Sequence, residues 1–321
     1  MAGLKIGFYD NDLGIRGTAL AMYRYAKYNE QVLGNESHIF TGFYGRDMTT
    51  KPAFDEAFPG RVTLCHSIYP IDELGLDYLY IIKAGGNEGL MLQNTPCLIH
   101  AVFCTNDPHG HRYAYVSDWL AGFMGYSPRE QYAVPHICEP LPFTSDNFRA
   151  ELGIPSTATV FGVYAGATEF NIRDVHVAMD ITVAGRKDVY FLLMNIQDGF
   201  NGNAHDHPQI IYLPGTSDLY TKSKFVNTCD AMIHARGGGE TFGLAVAEFS
   251  MANKPVVTYD GSGERCHLEI LGEKAILYNN CEEVLDIFNN LKNYIKYDDY
   301  NCYRSFNPEA IMDRFQHVFL D

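Results

Sequence analysis

The sequence predicts an α/β protein made of two domains, each a parallel sheet with helices between its strands. Three observations lead there. Short apolar runs alternate with amphipathic stretches along the whole chain. A segment crowded with prolines divides that pattern in two. The length of 321 residues, at roughly 150 per domain, suits two domains better than one.

In the first half, Leu4–Phe8 reads as a strand, followed by a turn-rich loop from Asp10 to Gly17 and a helix that Thr18 would cap, running through Tyr28. Further strands are expected at 37–42, 62–66, 78–82, 97–103 and 113–116, and Ser117-Asp118 starts a helix through Met124. The stretch Val134–Pro142 holds prolines at 135, 140 and 142, so it is neither an internal strand nor a helix and marks the boundary. The second half repeats the alternation. Strands are expected at 160–164, 189–194, 210–213, 231–234, 255–258 and 275–278, with helices at 174–183, 220–228, 244–252, 282–296 and 308–319. Two such halves imply Rossmann-like domains facing a central cleft, where ligands of this architecture bind. The division expected is 1–140 and 141–305, with a last helix at about 306–321 returning to the first domain.

Composition narrows the partners. Acidic residues outnumber basic ones 39 to 24, a formal charge of −15, which argues against duplex nucleic acid and anionic membrane surfaces. No run of about 18 apolar residues is present, so no transmembrane segment is expected. The eight cysteines contain no C-x-x-C pair, and reduced thiols in a cytoplasmic protein are the simplest reading.

The most informative stretch runs from Ala231 to Thr258. A strand leads into Gly237-Gly238-Gly239, where the missing side chains would let backbone approach a ligand, and a helix is expected to begin near Thr241. Its amides and dipole would favour an anion such as a phosphate. Helical spacing puts Glu248 among apolar positions with Leu244, Ala247 and Met251. A carboxylate there needs partners, either ligand hydroxyls or a neighbouring Arg or Lys.

Glu240-Thr-Phe-Gly243, Glu248-Phe-Ser-Met-Ala252 and Pro255-Val-Val257 together resemble the Glu-x7-Glu motif of retaining glycosyltransferase family 4, of the GT-B class, with Thr241 where that family usually has glycine. Val116–Leu120, Val134-Pro-His136 and Leu152–Pro155 resemble further landmarks of the family, in order. Residues 1–114 match more loosely. The resemblance implies two Rossmann-like domains and transfer of a sugar from a UDP- or GDP-sugar to a hydroxyl of a glycan or other small acceptor, with retention and without a required metal or cofactor. It implies that Glu240 contacts the transferred sugar, that Glu248 holds the ribose hydroxyls, and that Gly238, Gly239 and Thr241 with the amides of Phe242, Gly243 and Leu244 surround the diphosphate. Arg173, in the loop 166–174, stands roughly where the family has a lysine and is expected to bind phosphate; a surface pairing with Asp174 is the alternative. Arg236 is a second candidate cation. Gly14-Ile15-Arg16-Gly17 resembles the family's glycine loop, with Arg16 adding positive charge, and a plain strand-to-helix turn is the other reading. The family's sugar-contacting histidine falls among His100, His109 and His111. His109 is the working choice, with His100 equally readable as a core residue.

Asp10-Asn11-Asp12 is a literal D-x-D, and His205-Asp206-His207 carries metal-ligand types. Both read better as loops than as a metal site. Two other functions share the pattern, a nucleotide-sugar epimerase and a degenerate protein that binds sugar nucleotides without catalysis. A homodimer is the one protein partner left open.

Overall fold

Among the described residues, which are 3–42, 47–196 and 206–321 of a computed structural model, the twelve expected strand segments form two six-stranded sheets, every pairing parallel. The chain separates into two compact units. One runs to Cys138 and includes Ser305–Asp321, and the other is Glu139–Arg304.

The first unit contains β1 (Lys5–Asp10), α1 (Gly17–Gln31), β2 (Glu36–Gly42), α2 (Lys51–Ala57), β3 (Val62–Cys65), β4 (Tyr78–Lys83), β5 (Cys97–Ala101), β6 (Arg112–Tyr115) and α3 (Asp118–Phe123). Its strand order is β3-β2-β1-β4-β5-β6. The chain therefore leaves β1 toward one edge and returns at β4 to go the other way. Ser117 caps α3 by accepting the amide of Leu120 at 3.1 Å, as its sequence position suggests. Thr18 does not cap α1. The helix starts two residues earlier, at Gly17, with Arg16 before it and no side-chain cap, and the Thr18 hydroxyl bonds Asp10 instead.

The second unit contains β7 (Thr159–Tyr164), α4 (Arg173–Gly185), β8 (Val189–Met194), β9 (Ile210–Leu213), α5 (Leu219–Thr228), β10 (Ala231–His234), β11 (Gly239–Glu240), α6 (Leu244–Met251), β12 (Val256–Tyr259), β13 (Glu264–Arg265), α7 (Cys266–Leu271), β14 (Ile276–Tyr278) and α8 (Cys281–Tyr294). The order β14-β12-β10-β7-β8-β9 again reverses direction at its centre, between β7 and β10. Strands covered on both faces must be apolar throughout. On β7, Phe161 stacks with Phe191 and Phe288 on one face, at 5.7 and 4.8 Å between ring centres. Tyr164, of opposite parity, packs against Phe225 of α5 and Phe249 of α6 on the other.

After α8 the chain rejoins the first unit through α9 (Pro308–Phe315) and a wider turn over Gln316–Leu320. Phe315 and Phe319 pack on Tyr80, with ring centres 5.6 and 5.8 Å away, and Phe315 also meets Tyr25. Expected as one helix to residue 319, the segment changes its hydrogen-bonding pitch after Phe315. No helix among the described residues is long and apolar enough to cross a membrane.

Candidate active site

In open parallel α/β sheets the loops leaving adjacent strands at a reversal of strand order diverge and leave a crevice beyond the strand ends. In the second unit those loops are 165–172 after β7 and 235–243 after β10. They are tied directly. The amide of Asn171 donates to the carbonyl of Ala235 at 2.9 Å, and Asn171 Oδ1 accepts the amide of Gly237 at 2.8 Å. Arg236 bridges them by charge, with Nε 2.5 Å from Glu169 and a second guanidinium nitrogen 2.9 Å from Glu240.

Each loop feeds a helix whose first turn has no side-chain cap. In this unit Asp218 caps α5 and Asn280 caps α8, whereas α4 after Ile172, α6 after Gly243 and α7 after Arg265 start without a side-chain cap. The α6 helix begins at Leu244 rather than near Thr241. Gly243 adopts φ +93°, a left-handed conformation that no helical residue takes, so Thr241 and Phe242 belong to the loop. Phe242 is buried and its carbonyl accepts the hydroxyl of Tyr303.

The glycines divide by role. A Cβ on Gly239, at φ +81°, would stand 1.9 Å from the carbonyl oxygen of Glu264, so the space it lacks is filled by β13 and not by a ligand. This corrects the expectation that all three glycines clear room for a ligand. Only Gly238 faces open space. Gly239 and Glu240 pair with Glu264 and Arg265 as a two-stranded ribbon, too short to read from sequence, and it presents Glu240.

Glu240 is the best-held carboxylate of the site. One oxygen is 3.2 Å from His234 Nε2 and the other accepts from Arg236. Burial pushes its carboxyl upward, but the His234 hydrogen bond and the charge and hydrogen bond of Arg236 outweigh that and hold it below the usual carboxylate range. Behind it, His234 Nδ1 lies 2.9 Å from Thr258 Oγ1, which lies 3.1 Å from His267 Nε2.

Glu248 is 3% exposed on α6. Its Oε2 accepts the hydroxyl of Tyr164, the last residue of β7, and lies 3.6 Å from Lys222 Nζ of α5. Of the two partnerships the sequence left open, this is the one with a neighbouring lysine. Arg173 is exposed at the first position of α4 and forms an ion pair with neither Asp174 nor any other described residue. Arg236, the other candidate cation, is already shared between two carboxylates.

The remaining candidates belong to the first unit. Exposed Arg16 precedes α1 at an uncapped helix start. A Cβ on Gly14 would stand 2.5 Å from an Asp47 carboxylate oxygen, so that glycine answers to Asp47; Gly17 opens α1. Asp12 accepts the Gly14 amide at 3.1 Å and Asp10 that of Asn11 at 2.7 Å, so both acids of the D-x-D have backbone work. Burial raises the Asp10 carboxyl to about 6.

His100 is fully buried, with Nδ1 2.6 Å from the hydroxyl of Tyr80, and burial pulls its pKa down to about 4: a core histidine. His109 lies beside the edge strand. Its Nδ1 is 2.6 Å from the Asp107 carbonyl and its ring packs on Tyr113 of the edge strand β6, in a pocket of about 350 Å³ that also has His111, Tyr126 and Tyr132 in its wall. His205 lies outside the described residues. Among those described, no group of three or more His, Cys, Asp or Glu is arranged to hold a metal ion.

No protein-family model and no curated protein sequence matches the chain. Solved structures do. Anabaena HepE, in a complex with UDP and glucose, superposes with a TM-score of 0.68 at 14% identity, covering 98% of this chain and 99% of that one. A glycosyltransferase from Rickettsia africae gives 0.67 at 13% identity over 98% and 95%. WaaG, a glycosyltransferase involved in lipopolysaccharide biosynthesis, gives 0.52 at 11% identity over 98% and 96%. The fold is GT-B. At these identities the likeness is one of fold.

Sequence reasoning missed six side chains of this region: Tyr164, Asn171, Lys222, His234, Thr258 and His267. One signal was present. His234 ends an otherwise apolar strand immediately before the Gly-rich loop, where an imidazole needs a polar partner.

Proposed function

We propose that this GT-B chain is a retaining glycosyltransferase that moves a sugar from a UDP- or GDP-sugar to a hydroxyl of a glycan or small acceptor. One observation carries the reading: the uncapped starts of α4 and α6 flank the reversal of the second sheet, with the ionised Glu240 held in the loop that leads to α6. Two sets of unspent amides and two helix dipoles suit a diphosphate, and a fixed carboxylate suits sugar hydroxyls. Similarity of fold to Anabaena HepE, whose structure holds UDP and glucose, agrees with it.

In this reading the amides of Gly243 and Leu244 and the guanidinium of Arg173 take up the charge that develops on the leaving diphosphate. That is the stabilisation a metal supplies in other transferases, so the reaction does not depend on one. Glu240 accepts hydroxyls of the transferred sugar. Departure of the diphosphate and attack of the acceptor occur on one face, without a covalent nucleophile on the protein. Gly238 leaves room for the phosphates; the loop of Gly14, Arg16 and Gly17 is assigned to the diphosphate and the acceptor on its resemblance to the family's glycine loop. Glu248 is assigned the ribose hydroxyls on the resemblance of its motif. Its bond to Tyr164 means that it would meet them with lone pairs not already engaged.

Incubation with a panel of UDP- and GDP-sugars, with and without saccharide acceptors, tests this directly. The expected result is thermal stabilisation by one nucleotide class and a glycosylated product only when acceptor is present. An epimerised sugar nucleotide formed without acceptor would assign an epimerase instead. Stabilisation with neither product would leave a binding protein.

A further inference from the structure

Glu240 ends a line of buried polar side chains that the proposed function has not used. The line runs from Glu240 Oε1 to His234 Nε2 at 3.2 Å, from His234 Nδ1 to Thr258 Oγ1 at 2.9 Å, and from Thr258 Oγ1 to His267 Nε2 at 3.1 Å. Its members come from β10, β12 and α7. The parallel register pairs His234 with Thr258, which brings the two side chains to one face of the sheet, and the His267 ring centre lies 4.7 Å from that of His234. Thr258 and His267 are completely buried and His234 nearly so.

Proton counting gives the line a direction. An ionised carboxylate only accepts, so His234 Nε2 must donate to Glu240. At the far end, His267 Nδ1 is buried without a hydrogen-bond partner, so the proton of the neutral His267 ring sits on Nε2 and goes to Thr258 Oγ1, and the Thr258 hydroxyl donates to His234 Nδ1. His267 is held neutral: burial pulls its pKa down to about 2, and the guanidinium charges of Arg265 and Arg236 act in the same direction. Its Nδ1, which has no hydrogen-bond partner, is thereby a bare lone pair rather than an unmet donor. With both imidazoles neutral, no other assignment of protons satisfies all three contacts.

Two buried imidazoles and a hydroxyl cost solvation that apolar residues of the same volume would not. What they give in return acts on the carboxylate. Arg236 holds the other oxygen of Glu240, but it is half-exposed and divides its charge with Glu169. The His234 side is buried and linked in series, so it fixes the plane of the carboxylate from behind. We infer that His234, Thr258 and His267 are positioning residues, a one-directional hydrogen-bond line that orients Glu240 toward the donor sugar. Its consequence for turnover rests on the proposed role of Glu240; the line itself rests on its contacts and on a neutral His267.

Nitrogen-15 NMR of histidine-labelled full-length protein near pH 7.5 tests the line without any assay. Both His234 and His267 should be neutral and protonated on Nε2. Thr258→Val should release His267 from that preference, and Thr258→Ser should keep it. A charged His234 or His267, or either ring protonated on Nδ1 in the wild type, overturns the line. Turnover tests its purpose. Thr258→Val should lower kcat by roughly ten-fold or more with the donor KM nearly unchanged, and Thr258→Ser should recover it. Unchanged kcat in folded Thr258→Val, or no recovery in folded Thr258→Ser, overturns the positioning role. A wild type inactive with every donor would defeat the proposed function but would leave the NMR result to decide the line.

Discussion

Asn171 Oδ1 accepts the backbone N–H of Gly237 at 2.8 Å, joining the loop after β7 to the loop after β10 across the reversal of the second sheet. Parallel sheets separate the loops at such a reversal, and this bond adds to the backbone bond from Asn171 to Ala235 in fixing their spacing. Asn171→Ala removes the acceptor and leaves the backbone bond to Ala235 intact. A lost bond of this kind costs about 0.5–1.5 kcal/mol. If the two loops share one nucleotide, that cost should appear in its affinity, as a weakening of roughly three- to ten-fold by titration calorimetry, with little change in melting temperature. An unchanged affinity would mean that the loops do not bind the ligand together.

Gly238 and Gly239 are neighbours with opposite requirements. Gly239→Ala meets the Glu264 carbonyl and a left-handed backbone, and the backbone term alone costs about 1–2 kcal/mol. It should shift the ribbon that carries Glu240, so both stability and turnover should fall. Gly238→Ala enters open space and should leave stability within about 0.5 kcal/mol. If phosphates approach there, it should raise the donor KM all the same. Chemical denaturation and donor kinetics on the two variants check the pair; equal destabilisation by both would contradict the geometry.

The two sheets were legible because buried parallel strands have no polar face to hide, and runs such as Val189–Met194 have no other reading. Helix starts were less so. At α6 the deciding fact is the left-handed Gly243, which sequence shows only as one glycine among several; at α1 it is a hydroxyl of Thr18 taken by Asp10. The candidate site was legible along its contiguous stretch, Gly237 to Glu248, and nowhere else. The partners of Glu240 and Glu248 come from β7, α5, β10, β12 and α7, and only the sheet order brings them together. His109 shows the converse. A histidine in a polar loop near a central strand looks available for a sugar, but the loop carries it to the wall of the edge-strand pocket.

Asp10 and His100 should pull the stability of the first unit in opposite directions as pH changes. Asp10 has its carboxyl raised from 3.8 to about 6, so between those values the folded state holds a proton that the unfolded state has lost, and stability falls as pH rises. That shift corresponds to about 3 kcal/mol at neutral pH. His100 has its pKa lowered from 6.5 to about 4, so across that range the unfolded state binds the extra proton and stability rises with pH. Asp10→Asn keeps an acceptor for the Asn11 amide and has no charge to bury. It should therefore be more stable than wild type at pH 8 by about 2–3 kcal/mol, and the gap should close near pH 4. Urea unfolding of both proteins at several pH values measures it; a gap independent of pH would show that Asp10 is not the titrating group.

Glu248, Tyr164 and Lys222 form the buried pairing that most directly tests the nucleotide assignment. Tyr164→Phe removes a hydrogen bond to a carboxylate that is 3% exposed, which costs about 1.5–3 kcal/mol. Glu248→Gln keeps an acceptor for the Tyr164 hydroxyl but gives up the attraction of Lys222 at 3.6 Å. If the pairing is purely structural, both variants lose stability, and affinity for the nucleoside diphosphate changes only through unfolding. If Glu248 also receives the ribose, Glu248→Gln should weaken UDP or GDP binding by more than it weakens binding of the 2′-deoxy nucleotide, because only the former loses a hydroxyl–carboxylate bond. The ratio of the two affinities, measured well below the melting temperature, is insensitive to global stability. A ratio equal in wild type and Glu248→Gln would remove Glu248 from the ribose site and leave it as the counter-charge of Lys222.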